Sequence, residues 1–203
     1  MVKIFMKTEF DSNYTFYDFK QAIKETLKTR DKRTIDFPDY RKSSVMMLFM
    51  EKENVPHVLL SLRTDRVSTH KGQVSFPGGS YDDTDRDYLE TALRETHEEV
   101  GIDSSEIEIL GEYDEYISIM GFHVYVYVGA LNRDVPYNVC EDEIEEMLEV
   151  PFSIFYNEEF DRCEKFTHEG RDYDVYYYYY GDSTIWGMTA RILTDFSRKV
   201  CKG

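Results

Sequence analysis

Cysteine is scarce in this chain of 203 residues, which contains only Cys140, Cys163 and Cys201 and no Cys-x-x-Cys pair. An odd and widely spaced set fits neither a zinc site nor a disulfide framework. Long apolar runs are also missing, because no stretch approaches the roughly 18 apolar residues of a membrane-spanning helix. The apolar run near the start is too short for a signal peptide. We therefore expect a cytoplasmic protein with reduced thiols and no membrane partner.

Basic residues are also in deficit, with 24 Lys and Arg against 40 Asp and Glu, which gives a formal net charge of −16. A field of this sign disfavours nonspecific binding to nucleic acid or anionic membranes, and a polyanionic substrate would need local positive charge to overcome it. No internal repeat or Gly/Ser linker divides the chain, and 41% of its residues are hydrophobic. We expect one domain with a sizeable core and a short extension.

Hydrophobic periodicity predicts the order of elements along the chain. An amphipathic helix is predicted over residues 15–30, and further helices over 141–149 and 185–200. Tyrosine fills positions 176–180, which we interpret as a buried strand with hydrogen-bonded phenols and not as a base-stacking platform. Strands are predicted at 45–50, 58–62, 107–113, 122–131 and 173–180, of which 122–131 is expected to be central because it is almost continuously apolar.

Glutamates crowd the run RETHEEVGI at residues 94–102, which follows Phe-Pro-Gly-Gly at 76–79. On a helix, Glu95, Glu98 and Glu99 fall within a ~100° arc, opposite the side that would pack. Like charges at these spacings repel by roughly 0.2–0.5 kcal/mol per pair, and Mg²⁺ would turn that repulsion into a binding site. Arg94 lies four residues before Glu98, so an ion pair would fix the carboxylate's rotamer.

The helix that carries these acids is bounded by recognisable signals. Gly101 is its expected C-terminal stop, and glycines at 78–79 allow a tight turn before it. The N-cap candidates are Asp82, Asp83, Thr84 and Asp85. The segment therefore predicts a loop, a helix and a second loop.

These residues resemble the Nudix box, whose general pattern is GX5EX7REUXEEXGU with U an apolar residue. The loop glycine, the Arg-Glu pair, the Glu-Glu pair and the final Gly-Ile all match. Thr96 stands at a U position and the first Glu is missing. Five residues separate Gly79 from Asp85 and eight separate Asp85 from Arg94, so the spacing leaves open which acid, if any, replaces that Glu.

The segments at 59–64 and 70–79 are similar to the signature upstream of the box in the coenzyme A pyrophosphatase branch of the Nudix hydrolases, and residues 185–193 are similar to that branch's C-terminal helix. The departures are Ser61, where Thr is usual, and Ser68, where Arg is usual. The resemblance implies an α/β fold, a Nudix-type α/β/α sandwich with a central mixed β-sheet. It divides the chain into an N-terminal helical extension at 1–42 and a Nudix hydrolase domain at 43–203.

The resemblance also implies an activity. We expect Mg²⁺-dependent or Mn²⁺-dependent hydrolysis of the diphosphate linkage of coenzyme A or acyl-CoA, giving 3′,5′-ADP and 4′-phosphopantetheine or its acyl form. Two alternatives stay open: a Nudix diphosphatase acting on ADP-ribose or another dinucleotide, and a noncatalytic nucleotide-binding module. The oligomeric state is expected to be a monomer or a homodimer.

The candidate site residues follow from the charges and from the resemblance. Glu95, Glu98 and Glu99 are the expected metal ligands, and together with Arg94 they form the catalytic set. The general base is left open between Glu95 and two acids outside the box, Glu143 and Glu146. Substrate binding is expected from Arg63, His70, Gln73, Phe76, Gly78 and Gly79, and Arg66 and Lys71 are further candidates for local positive charge.

Overall fold

The central feature of the fold is a mixed sheet sandwiched between helices. The computed structural model describes residues 14–37, 39–65, 72–168 and 170–202. Its strands are β1 (Arg41–Lys52), β2 (Val55–Arg63), β3 (Val74–Ser75), β4 (Gly78–Ser80), β5 (Ile107–Glu112), β6 (Tyr116–Ile117), β7 (Phe122–Leu131), β8 (Ile144–Pro151), β9 (Arg162–His168), β10 (Arg171–Tyr180) and β11 (Ser183–Trp186). Its helices are α1 (Phe16–Thr29), α2 (Tyr88–Val100), α3 (Ser153–Tyr156) and α4 (Gly187–Phe196), with a 3₁₀ turn at Ser104–Glu106 and a π turn at Ser197–Cys201.

Strands β1 and β7 form the centre of the main sheet. The described strands run in the order β3-β2-β1-β7-β5, while β4 pairs with β1, β6 with β7 and β8 with β2. The β1–β7 pair is parallel and the β1–β2 pair is antiparallel, so the sheet is mixed. The predicted central position of residues 122–131 is therefore confirmed, and the strands predicted at 45–50 and 58–62 lie within β1 and β2.

Alternate residues of β1 supply two separate cores. Met47 and Phe49 pack in the larger cluster with α1 and α4, while Met46 and Leu48 pack on the opposite face with α2. A strand covered on both faces reads as a continuous apolar run, which is why this one has little alternation in its sequence. The α/β/α sandwich with a central mixed sheet is thus confirmed.

The N-terminal helix α1 is part of the larger core. Phe19 is fully buried, and its ring lies 5.2 Å from that of Phe49 and 6.1 Å from that of Phe152. Thr15 and Asp18 form a capping box that starts the helix. The helix predicted at 15–30 is confirmed, and it packs against the domain from which we separated it at residue 42.

One predicted helix is wrong. Residues 141–149 do not form a helix: β8 begins at Ile144 and pairs antiparallel with β2. Glu145 and Glu146 are exposed, whereas Leu148 and Val150 are buried. Acidic residues favour helix locally, but pairing with β2 and burial of the apolar side chains decide the conformation here.

The tyrosine-rich strand β10 lies in a second sheet, of order β11-β10-β9. Tyr176 and Tyr178 are buried, and Tyr179 is exposed. The Tyr178 hydroxyl lies 2.8 Å from Thr194 Oγ1, and the Tyr180 hydroxyl donates to the carbonyl of Glu149 at 2.9 Å. The predicted strand and its hydrogen-bonded phenols are confirmed, whereas the predicted burial holds for one face only.

The C-terminal helix starts later than predicted. Residues 183–186 form β11, and α4 begins at Gly187, whose φ of +64° lets the chain turn from strand into helix. None of the described helices is long and apolar enough to span a membrane.

Candidate active site

Helix α2 presents the glutamates, and its ends fix their positions. Its N-cap is Asp87, whose Oδ1 accepts from the Glu90 N–H at 2.9 Å, so the four N-cap candidates at 82–85 are wrong. Asp82 instead accepts hydrogen bonds from the backbone and hydroxyl of Thr84 in the preceding turn. Gly101 ends the helix in the left-handed conformation, as predicted, with φ of +73°.

Arg94 donates hydrogen bonds to three acidic side chains on and beside α2. Its Nε and Nη2 donate to the two carboxylate oxygens of Asp85 at 2.9 and 3.0 Å. Its Nη1 donates to Glu95 and to Glu98, both at 3.0 Å, so the predicted Arg94–Glu98 ion pair is present. Arg94 therefore orients two of the proposed metal ligands through one guanidinium group.

Asp85 is the acidic side chain that receives two hydrogen bonds from Arg94. Its side chain is buried, and the hydrogen bonds from Arg94 are the largest cause that holds its pKa well below the usual range. The Thr91 hydroxyl and the Asp82 N–H also donate to it. The sequence did not predict this contact, because eight residues separate Asp85 from Arg94 where the general box pattern has seven.

Glu99 differs from the other two glutamates because it is buried, with 4% of its side chain exposed. Burial raises its pKa to about 7, against the opposing effects of the Gly78 N–H and Arg63. The Gly78 N–H donates to Oε2 at 3.1 Å and Arg63 Nη1 donates to Oε1 at 2.6 Å. The face of α2 predicted to bind thus includes a carboxylate enclosed by protein.

Two consecutive glycines let β4 lie close to β1 on one side and to the Glu95 side chain of α2 on the other. A Cβ on Gly79 would lie 2.4 Å from the carboxyl carbon of Glu95, so this glycine leaves room for that side chain. A Cβ on Gly78 would lie 2.4 Å from the carbonyl oxygen of Ser44, and its φ is +153°. Burial is the largest cause of a raised pKa at Glu95, with Arg94 opposing it.

Among the described residues predicted to bind substrate, Arg63, Gln73 and Phe76 lie in different environments. Arg63 ends β2 and also donates from Nη2 to Glu143 at 3.1 Å, so it links a box and a non-box acid. The backbone carbonyl of Gln73 accepts from the Arg63 N–H. Phe76 is 3% exposed and packs in the larger core, and its role as a substrate contact stays a prediction.

Three of the predicted residues, His70, Arg66 and Lys71, lie outside the described residues. Glu146, one of the acids considered as a general base, is exposed on β8 opposite Leu62 of β2.

The Arg63–Glu99 contact was not predicted, and no local pattern could have indicated it because the two residues are 36 positions apart.

The donor chemistry of Glu95, Glu98 and Glu99 fits a divalent cation, since carboxylate oxygens suit Mg²⁺ and Mn²⁺. Within the described ranges, however, no three acidic, histidine or cysteine side chains already converge as a metal-binding group. Glu98 contributes to raising the pKa of Glu95, and Glu95 contributes to raising that of Glu99. The glutamates therefore carry mutual repulsion that a cation would relieve, while arginines hold their present orientations.

The sequence matches one family model and resembles several named proteins of the same family. The NUDIX domain model matches residues 39–173. The uncharacterized Nudix hydrolase NudL of Enterobacter sp. (strain 638) is 33% identical over 171 residues, covering 84% of this chain and 88% of the relative. NudL of Escherichia fergusonii is 30% identical over 200 residues, covering 93% and 96%.

A solved structure agrees with the fold. A MutT/nudix family protein from Enterococcus faecalis superposes with a TM-score of 0.52 and 16% identity, over 91% of this chain and 74% of that one. The fold and the acidic helix agree with the class that the family model and the relatives show, an α/β/α hydrolase of the diphosphatase type. The chain belongs to the Nudix family, whose members generally use divalent metal ions, and it is a Nudix hydrolase.

Proposed function

We propose that this Nudix hydrolase cleaves the diphosphate linkage of coenzyme A or acyl-CoA with Mg²⁺ or Mn²⁺, giving 3′,5′-ADP and 4′-phosphopantetheine or its acyl form. One observation carries the proposal. The segment that resembles the coenzyme A branch includes the end of β2 and β4, and these two pieces contribute Arg63, Gly78 and Gly79 to the surroundings of Glu95 and Glu99.

The carboxylates of α2, together with Arg94, are the groups that the proposed hydrolysis of a diphosphate would use. A divalent cation held by Glu95, Glu98 and Glu99 would neutralise the phosphates and lower the pKa of an attacking water. Arg94 holds Glu95 and Glu98 in place, and the backbone of Gly78 holds Glu99. Among the candidate bases we favour Glu95 over the exposed Glu143 and Glu146, because it lies against Gly79 beside the other acids; as the base it would leave the cation to Glu98 and Glu99.

Positive charge near the phosphates comes from the chain itself. Arg63 lies beside the acids, with 16% of its side chain exposed, and its planar guanidinium matches a phosphate group. His70 and Gln73 remain proposed substrate contacts on the strength of the signature. We further propose a cytoplasmic enzyme that acts as a monomer or homodimer, with a nucleotide-like small molecule as its partner and no nucleic acid.

A substrate panel tests the proposal. Purified protein is incubated with coenzyme A, acetyl-CoA, ADP-ribose and a dinucleoside polyphosphate, with and without Mg²⁺ or Mn²⁺, and products are identified by mass spectrometry. We expect 3′,5′-ADP and 4′-phosphopantetheine only when metal is added. Intact coenzyme A alongside cleaved ADP-ribose or dinucleotide would support the alternative diphosphatase. Binding without cleavage of any compound would support the noncatalytic module.

A further inference from the structure

We propose that Arg63 and the divalent cation are alternative partners of Glu99, so that metal binding releases Arg63 toward the substrate phosphates. This inference rests on the Nudix activity but not on coenzyme A as the substrate. It assigns Arg63 a positioning role in the metal site, in addition to substrate binding.

The first argument is that both oxygens of Glu99 already have partners. Oε1 accepts from Arg63 Nη1 at 2.6 Å, and Oε2 accepts from the Gly78 N–H at 3.1 Å. The Gly78 donor belongs to the backbone of β4, which is fixed by its pairing with β1. Arg63 is therefore the partner that can move.

The second argument is electrostatic. A metal ion binds carboxylate oxygen at about 2.0–2.1 Å, closer than a guanidinium nitrogen, and both partners are positively charged. Glu99 has 4% of its side chain exposed, so little water is available to screen two cations placed beside it. A cation that enters at Oε1 therefore repels Arg63 from the same oxygen.

The third argument concerns where Arg63 goes. Its backbone N–H is held by the carbonyl of Gln73, and β2 has a register shift against β8 between Leu62 and Arg63. Its Nη2 is already bonded to Glu143, whose side chain is 48% exposed. The guanidinium can thus turn outward on this second attachment, where a phosphate can accept its hydrogen bonds.

A purely structural role for Arg63 makes the opposite prediction about metal affinity. If the arginine only shaped the site, its removal would disorder Glu99 and weaken metal binding. If it competes, its removal should strengthen metal binding. The two effects are thermodynamically linked, because a partner that metal displaces must in turn oppose the metal.

Calorimetric titration with Mn²⁺, without substrate and at about pH 8 so that ordinary carboxylates are ionised, measures this difference. We expect Arg63→Gln to bind Mn²⁺ at least about fivefold more tightly than the wild type, the lower end of typical coupling between sites. Arg133→Gln is the matched control, because it removes an exposed Arg–Glu pair with Glu106 and should bind as the wild type does. Equal or weaker binding by Arg63→Gln would overturn the proposal.

A measurement on the unaltered protein protects against a variant that fails to fold. The Nε–Hε signal of Arg63 in a ¹⁵N correlation spectrum is assigned by its loss in Arg63→Lys, and Mg²⁺ is then added to the wild type. We expect this signal to shift or broaden in proportion to metal occupancy. Metal uptake with an unchanged Arg63 signal, or no uptake at all, would refute the exchange.

The substrate panel distinguishes this exchange from the proposed substrate. Failure to cleave coenzyme A, together with a metal-dependent Arg63 signal, would remove the substrate proposal and leave the exchange standing. Cleavage of coenzyme A with no change at Arg63 would do the reverse. The two proposals therefore fail separately.

Discussion

Asp85 shows how a change in spacing can be absorbed at the scale of a single residue. The general box pattern has seven residues between its first Glu and the Arg, whereas here eight residues separate Asp85 from Arg94. The carboxylate still receives two hydrogen bonds from Arg94 and one from the Thr91 hydroxyl. Asp85 therefore orients Arg94 even though its spacing differs from that of the general pattern.

Removing the charge of Asp85 should therefore cost stability. We expect Asp85→Asn to lower the free energy of unfolding by about 2–3 kcal/mol, because the buried bonds to a charged partner are weakened. Urea denaturation measures the change. Asp83→Asn, the same substitution at an exposed position of the same turn, should stay within about 0.5 kcal/mol of the wild type. Equal effects of the two substitutions would contradict the role of Asp85.

Glu99 should matter for chemistry more than any other acid of α2, because its side chain is buried and the backbone N–H of Gly78 fixes one of its oxygens. We predict that Glu99→Gln lowers kcat by at least ~10²-fold, the scale of losing one electrostatic contact to developing charge. Single-turnover assays on the best substrate of the panel measure this step. Glu90→Gln makes the same change in the first turn of the helix and should retain wild-type kcat. Wild-type turnover by Glu99→Gln would remove it from the ligand set.

At the scale of elements, strand β4 has two glycines that serve different purposes. A side chain on Gly78 meets the backbone carbonyl of Ser44, which cannot move without disturbing β1. A side chain on Gly79 meets the end of the flexible Glu95 side chain. The first glycine thus secures the fold, and the second secures the position of a proposed ligand.

These roles predict opposite outcomes for two matched substitutions. Gly78→Ala should lower the free energy of unfolding by about 1–3 kcal/mol, the scale of a strained backbone residue. Gly79→Ala should change stability little but lower kcat about 10²-fold, because the Glu95 carboxylate is displaced. Denaturation and kinetics on both variants check this. A larger loss of stability in Gly79→Ala than in Gly78→Ala would reverse the assignment.

Elements with a local signal were predictable from the sequence, and those that depend on distant partners were not. Helix α1 and strand β7 follow from periodicity and a continuous apolar run. Strand β8 did not follow, because its glutamates favour helix and only pairing with β2 makes it a strand. The box located Glu95, Glu98 and Glu99, but the contact of Glu99 with Arg63 required the folded chain.

At the scale of the whole molecule, α1 packs in the same hydrophobic core as the second sheet, and we propose that α1 does not fold separately from the rest of the chain. Phe19→Ala should lower the free energy of unfolding by about 3–5 kcal/mol, since Phe19 is fully buried. Fluorescence of Trp186, on β11, reports unfolding at the other end of the chain. Tyr17→Ala, on the exposed side of α1, is the control. An unchanged Trp186 transition in Phe19→Ala would indicate an independent extension.

Ion pairs between α1 and β5 should make this unit sensitive to acid. Burial alone would raise the pKa of Glu108, but hydrogen bonds from Lys20 and Lys24 outweigh it and lower the pKa to about 2. An unfolded Glu has a pKa near 4.3, so the folded state holds fewer protons between these values. The stability from Glu108 is therefore fully present above about pH 4.3 and is lost as the pH falls toward 2.

We predict that Glu108→Gln is about 2–3 kcal/mol less stable than the wild type at pH 7 and that this difference shrinks below about pH 4. Urea denaturation between pH 7 and about pH 3 follows the difference. Glu51→Gln, at the exposed end of β1, should show a small difference throughout. If the difference in the free energy of unfolding between the wild type and Glu108→Gln stayed constant across the acid range, the lysines of α1 would stabilise the fold by packing and not by charge.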